Sequence, residues 1–125
     1  MSPLTIILLG LAGGLGAATR FVVDGMVRAN IRTALPVGTI AINITGSFLL
    51  GLVAGAVIMH AAPPELQAIA GTGFLGGYTT FSTASFETVR LVQSGRTGLA
   101  LLNALGTAAA AVAAAGGGFA VAGLL

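Results

Sequence analysis

From Pro36 to Met59 the chain carries no charged side chain, and three further stretches are nearly as apolar. A bilayer core about 30 Å thick takes roughly 20 apolar residues per helix. The stretches from about Leu4 to Val23, Leu66 to Val92 and Gly98 to Leu125 meet that length alongside Pro36 to Met59. Charged residues make up only 6% of the 125. A water-facing domain carries about 25%, so this surface is built for lipid. Four spans are too few to close a barrel, which leaves helices. The sequence therefore predicts an all-α membrane protein, one domain of four transmembrane helices over residues 1–125. The apolar start MSPLTIILLG has no basic segment before it and is expected to be a mature helix, not a removed signal.

The links between spans carry an orientation signal. All five basic residues are arginines. Arg28 and Arg32 lie between the first two spans and Arg90 and Arg96 between the last two, whereas the link HAAPPE has none. The positive-inside rule then puts both termini outside, for a single orientation. A formal charge of +2 gives no footing for nucleic acid.

Glycine numbers 20. In lipid, small residues let helix backbones approach closely. Gly10 with Gly14, and Gly51 with Gly55, have GxxxG spacing. Four such slim helices enclose little volume, so a second subunit is expected.

The polar residues inside the spans are neutral. Span two carries Thr39, Asn43 and Ser47 at four-residue steps, followed by Gly51 and Gly55. Each step overshoots one turn by about 40°, so the set winds slowly along one side. Asn43 has two readings: an interhelical hydrogen bond, or an N–H donor facing a polar pathway. Asn103 and Thr107 share a face of span four. Span three reads GTGFLGGYTTFSTASFETV from Gly71. Gly76 and Gly77 followed by β-branched threonines make a weak point: either a broken helix lining a cavity, or a glycine crossing point. Freed carbonyls in a broken helix hold cations and half-helix N-termini hold anions.

The chemistry of a pathway here is narrow. No Asp or Glu lies deep in a span, which counts against proton antiport. Amides, hydroxyls and the positive edges of phenyl rings suit a small, hard anion. Arg20, late in span one, either concentrates anions at a pore mouth or snorkels to the interface. There is no Ser/His/Asp set, metal-ligand cluster or phosphate loop, so no enzyme is expected, and with no cysteine there is no thiolate site.

GFLGGYTTFST (Gly73 to Thr83) closely resembles the third-span signature of the Fluc/CrcB fluoride channels. GGLGAATRF (Gly13 to Phe21) and GTIAINITGSFLLG (Gly38 to Gly51) resemble its other two, in the same order. The resemblance covers essentially the whole chain. It implies a fluoride-selective channel giving passive fluoride export across the bacterial plasma (inner) membrane, as protection from fluoride toxicity. It also implies an antiparallel dual-topology dimer with a break in the third helix. A structural sodium ion at the dimer interface would be held by the backbone carbonyls of Gly76 and Thr79 and their counterparts. By position, Asn43, Phe81, Ser82, Thr83, Thr107, Asn103 and Arg20 would belong to the fluoride pathway. One departure stands out: where the family has a second phenylalanine, this chain has Ala84, with Phe86 two residues on. Two residues turn a helix by about 200°, so Phe86 does not stand in for the missing ring. The one-sided arginines also suit a subunit that pairs with an oppositely oriented paralogue. The other classes weighed are a small multidrug-type proton antiporter, which needs a carboxylate in span one, and a purely structural assembly subunit.

Overall fold

The computed structural model describes residues 1–125. Every regular element is a helix. Helix α1 runs Pro3–Asn30, α2 Val37–Met59, α3 residues 64–78, α4 Phe81–Gln93 and α5 Thr97–Ala122. Three of them, α1, α2 and α5, are each long and apolar enough to cross a membrane alone. Helix α3 is about 22 Å long and α4 about 20 Å at 1.5 Å per residue. Neither half crosses a bilayer core of about 30 Å. End to end they complete the fourth span.

The first helix is longer than its apolar run. Asp24, Arg28 and Asn30, read from the sequence as loop, belong to its last two turns. Ser2 caps its start by accepting from the Thr5 amide at 3.1 Å. At the far end Arg28 Nε donates to Asp24 Oδ2 at 2.9 Å, an i,i+4 pair that only a continuing helix brings together. The same guanidinium donates from Nη2 to Glu87 Oε2 at 3.2 Å, tying α1 to α4. Helix α4 ends in a turn in which Gly95 adopts φ +79, the left-handed region natural to glycine. The Arg96 amide closes that turn on the Leu91 carbonyl at 2.8 Å.

Two glycine seams hold the bundle. In the α1–α3 seam, a methyl group on Gly16 would overlap the Phe74 carbonyl, and one on Gly77 the Gly13 carbonyl. In the α2–α5 seam, Gly51 lies against the Ala115 carbonyl and Gly118 against the Phe48 carbonyl in the same way. Gly51 and Gly55 thus do form a seam. Gly10 and Gly14 do not: nothing lies near either within the chain, and the neighbouring pair Gly13 and Gly16 packs instead. His60 Nε2 donates to the Ala122 carbonyl at 2.6 Å, joining the ends of α2 and α5.

Only 16 residues are buried, so most of every helix faces outward, as a lipid-embedded protein requires. Two stretches wind as π-helix, Gln67–Leu75 in α3 and Leu102–Gly106 in α5. Such wide turns often sit at functional sites. Here both turn toward the same groove.

Candidate functional site: a polar groove beside an extended threonine pair

Between α3 and α4 the chain is extended at two residues. Thr79 has φ −78, ψ 159 and Thr80 φ −149, ψ 121. Gly76 and Gly77, the weak point in the sequence, are themselves helical. Two extended residues inside a membrane span strand backbone groups that water cannot reach, and each unsatisfied group is costly there. The structure shows where those groups go.

Asn43 takes both polar groups of Thr80. Its Oδ1 accepts from the Thr80 amide at 2.8 Å, and its Nδ2 donates to the Thr80 carbonyl at 2.9 Å. One carboxamide thereby replaces two helix hydrogen bonds, and one of its two N–H groups is left over. Thr80 caps the new helix, its Oγ1 accepting from the Thr83 amide at 3.1 Å. On the other side, the Thr79 amide and hydroxyl both donate to the Leu75 carbonyl, each at 2.9 Å. Arg20 Nε donates to the Gly77 carbonyl at 3.2 Å, a cation on the C-terminal end of α3. Arg20 is thus tied to the third span. The Thr79 carbonyl accepts no hydrogen bond from the chain.

A groove of about 710 Å³ runs along this feature. Asn43 and Ser47 of α2 line it, with Gly76, Thr79 and Phe81 from the third span and Asn103 and Thr107 from α5. No carboxylate is among its lining residues. Phe81 is 87% exposed, so its ring stands on the rim of the groove with little of this chain around it. Arg20 and Thr83 line a separate cavity of about 200 Å³, on the other side of Thr80. Only Thr80 reaches both. Ser82 lines neither and is exposed. The residues grouped by the sequence thus divide into a groove set, a small-cavity set and one outlier.

At one end of the groove the α4–α5 contact is polar. Asn103, 3% exposed, donates from Nδ2 to Thr88 Oγ1 at 2.8 Å, with a longer contact of 3.5 Å to the Ala84 carbonyl. Thr88 donates in turn to the Ala84 carbonyl at 2.9 Å. Ala84 lines the groove, whereas Phe86 does not. The Phe86 ring is 62% exposed and lies under the Arg90 guanidinium, 5.9 Å from the ring centroid. Beside Ala84 stand the Asn103 amide and the Thr88 hydroxyl. Thr80 and Thr88 also line the groove, and the sequence reading does not single them out. Their spacing with Ala84, four residues at each step along one helix face, is the available signal.

Residues 7–119 match the model of the family described as CrcB-like protein, Camphor Resistance (CrcB). The chain belongs to the CrcB family. Among the relatives of this CrcB protein is the fluoride-specific ion channel FluC 1 of Leifsonia xyli subsp. xyli, 52% identical over 124 residues, covering 99% of this chain and 90% of the relative. The fluoride-specific ion channel FluC 2 of Cutibacterium acnes is 42% identical over 113 residues, covering 90% and 92%. The fluoride-specific ion channel FluC 1 of Streptomyces avermitilis is 44% identical over 109 residues, covering 86% and 88%. The CrcB chain is thus a membrane protein whose relatives are named as channels and not as enzymes.

Proposed function

We propose that the chain is one subunit of a fluoride-selective channel that lets fluoride leave the cell passively across the bacterial plasma (inner) membrane and so protects against fluoride toxicity. The observation that carries this reading is the Asn43–Thr80 clamp in a groove without a carboxylate. Fluoride is small and strongly hydrated, and crossing hydrocarbon requires neutral donors that replace its water. The spare N–H of Asn43 is one donor, and the groove hydroxyls add others. The first turn of α4 offers backbone N–H groups and the positive end of a helix dipole. The positive edge of the Phe81 ring adds a weaker attraction. An acid among these groups would repel the anion, and a proton antiporter would need one. Neither the groove nor the names of the relatives favours the antiporter.

The groove of a single subunit is open-sided, and its most prominent ring is bare. A second subunit in the opposite orientation would cover Phe81 and close the conduit. That subunit is either a second copy or an oppositely oriented paralogue, the latter favoured by the one-sided arginines. Sodium fits the residues present. The Thr80 amide, which in a continuing helix would donate to the Gly76 carbonyl, is turned to Asn43 instead. The Thr79 carbonyl is free, and both Gly76 and Thr79 line the groove. The carbonyls of Gly76 and Thr79, with the partner's pair, would hold the ion, and its charge would offset carbonyl dipoles gathered at the interface.

The test is efflux from liposomes containing the purified chain, with chloride as control. Fluoride is expected to leave without a proton gradient and chloride to stay. Efflux that needs a proton gradient, or fluoride retained both by the chain alone and by the chain together with an oppositely oriented paralogue, rejects the proposal. Phe81→Ile keeps the bulk and removes the ring edge. It is expected to slow fluoride by about tenfold, the size of one weak donor interaction, and a normal rate would remove the ring from the pathway.

A further inference from the structure

The groove continues past Gly76 and Thr79, to Gln67 in the first turns of α3. This end lies toward the arginine-free HAAPPE link, opposite the Asn103–Thr88 end. Gln67 is the one carboxamide in the chain that makes no hydrogen bond while shielded: Asn30, Asn43 and Asn103 all donate within it, and Gln93 is exposed at a helix end. Its Oε1 is shielded from solvent and has no partner. Its Nε2 is also unpartnered but remains accessible, and the residue lines the groove.

Gly71, one turn further on, leaves room for the side chain where it lies. A methyl group there would stand 2.9 Å from Nε2 and 3.2 Å from Cδ, so the amide would have to move aside. Gly71 is itself buried and part of the groove wall. A glycine that seats an amide, and an amide without a partner, are a poor device for stability. Burying an unsatisfied polar group destabilises a fold. An anion in the groove would use the accessible Nε2, whereas Oε1, shielded from solvent, is an acceptor that no anion satisfies.

We infer that Gln67 is a donor for the permeating anion at the arginine-free mouth of the groove, positioned by Gly71. This rests on the channel reading above. At the other end Arg32, Arg90 and Arg96, which pair with no carboxylate, supply positive potential. Here the nearest charged side chain in sequence is Glu65, which repels anions, so a neutral N–H must take over as fluoride gains or loses water. Gln67 is a specificity-determining residue in this account, acting at the mouth, and Asn43 acts at the centre.

The two explanations of Gln67, pathway and packing, predict opposite signs for one substitution. Gln67→Met keeps length and volume and removes both polar atoms. A pathway role predicts fluoride efflux about tenfold slower, with the Tm of the purified protein in detergent unchanged or raised, because an unsatisfied amide has gone. Gly71→Ala, which displaces the amide without deleting it, is expected to slow efflux as well. Parent-like efflux from Gln67→Met overturns the inference and leaves the channel reading standing. So does a Gln67→Met protein that fails to assemble or whose Tm falls with its flux, since that outcome assigns the amide to packing. Parent vesicles that retain fluoride both without and with an oppositely oriented paralogue reject the channel reading, and this inference falls with it.

Discussion

Asn43→Asp is expected to reduce fluoride efflux by at least about a hundredfold, because it preserves shape but replaces Nδ2, a donor, with a second carboxylate oxygen. The acceptor half of the clamp survives, since the new carboxylate can still accept from the Thr80 amide. The donor half becomes an oxygen facing the Thr80 carbonyl, which in the parent lies 2.9 Å from Nδ2. The spare N–H is also lost, and a negative charge stands where the anion must pass. Two like charges about 4 Å apart repel by roughly 4 kcal/mol at an effective dielectric constant near 20, ample for that loss. Asn43→Leu separates the two duties of the side chain. It adds no charge but strands both the amide and the carbonyl of Thr80, which destabilises by about 1–3 kcal/mol for each group. The leucine variant should therefore have the lower Tm and the aspartate variant the lower flux. Efflux unchanged in Asn43→Asp would remove the residue from the pathway, and a flux order that follows Tm would reduce Asn43 to a clamp.

Much of this arrangement is legible in residue order, and the parts that are not share a cause. The apolar runs mark the spans because lipid exposure is a property of each segment by itself. The end of α1 is hidden because the sequence shows Asp24 and Arg28 only as charges. Their pairing four residues apart keeps the helix going to Asn30, beyond the apolar run. GxxxG spacing identifies a face but not its partner. On the first span Gly10 and Gly14 have that spacing, yet Gly13 and Gly16, three apart, are the pair that packs, a choice fixed by Gly73, Phe74 and Gly77 some sixty residues away. The third span shows the same limit. Adjacent glycines mark a local weakness, yet the chain becomes extended two residues later. That is where the carboxamide of Asn43, on another helix, can take up the Thr80 backbone. The site residues named from motif position come from the segments that line the two cavities. Their division into a groove with Asn43 and Phe81 and a cavity with Arg20 and Thr83 depends on how α4 is rotated, which no local pattern encodes. Thr88 escapes a local reading because its role depends on Ala84 being small enough to let Asn103 approach.

Gly51→Ala is expected to unfold or disperse the protein although it adds one methyl group in a helix-favouring residue. On propensity alone the change should stabilise a helix by about 1 kcal/mol. The methyl would overlap the Ala115 carbonyl, and carbonyl oxygens of a packed helix cannot rotate aside as a side chain can. Gly118 meets the Phe48 carbonyl in the mirror sense, so a shift that relieves one contact does not open the other without moving the whole of α5. Overpacking against yielding side chains costs about 1–3 kcal/mol, and a rigid backbone contact should exceed that range. The consequence reaches the site, because this seam sets the distance between Asn43 on α2 and Asn103 with Thr107 on α5. If α5 is pushed outward, the donors on the two walls no longer face one ion. Gly98→Ala is the matched control: the same substitution, in a helix of the same seam, with nothing within 4 Å of the new methyl. Size-exclusion profile and Tm should show Gly98→Ala at or above the parent and Gly51→Ala far below it. Equal stability of the two variants would mean that α2 and α5 are not held backbone to backbone, and the spacing argued for the groove walls would have to be abandoned.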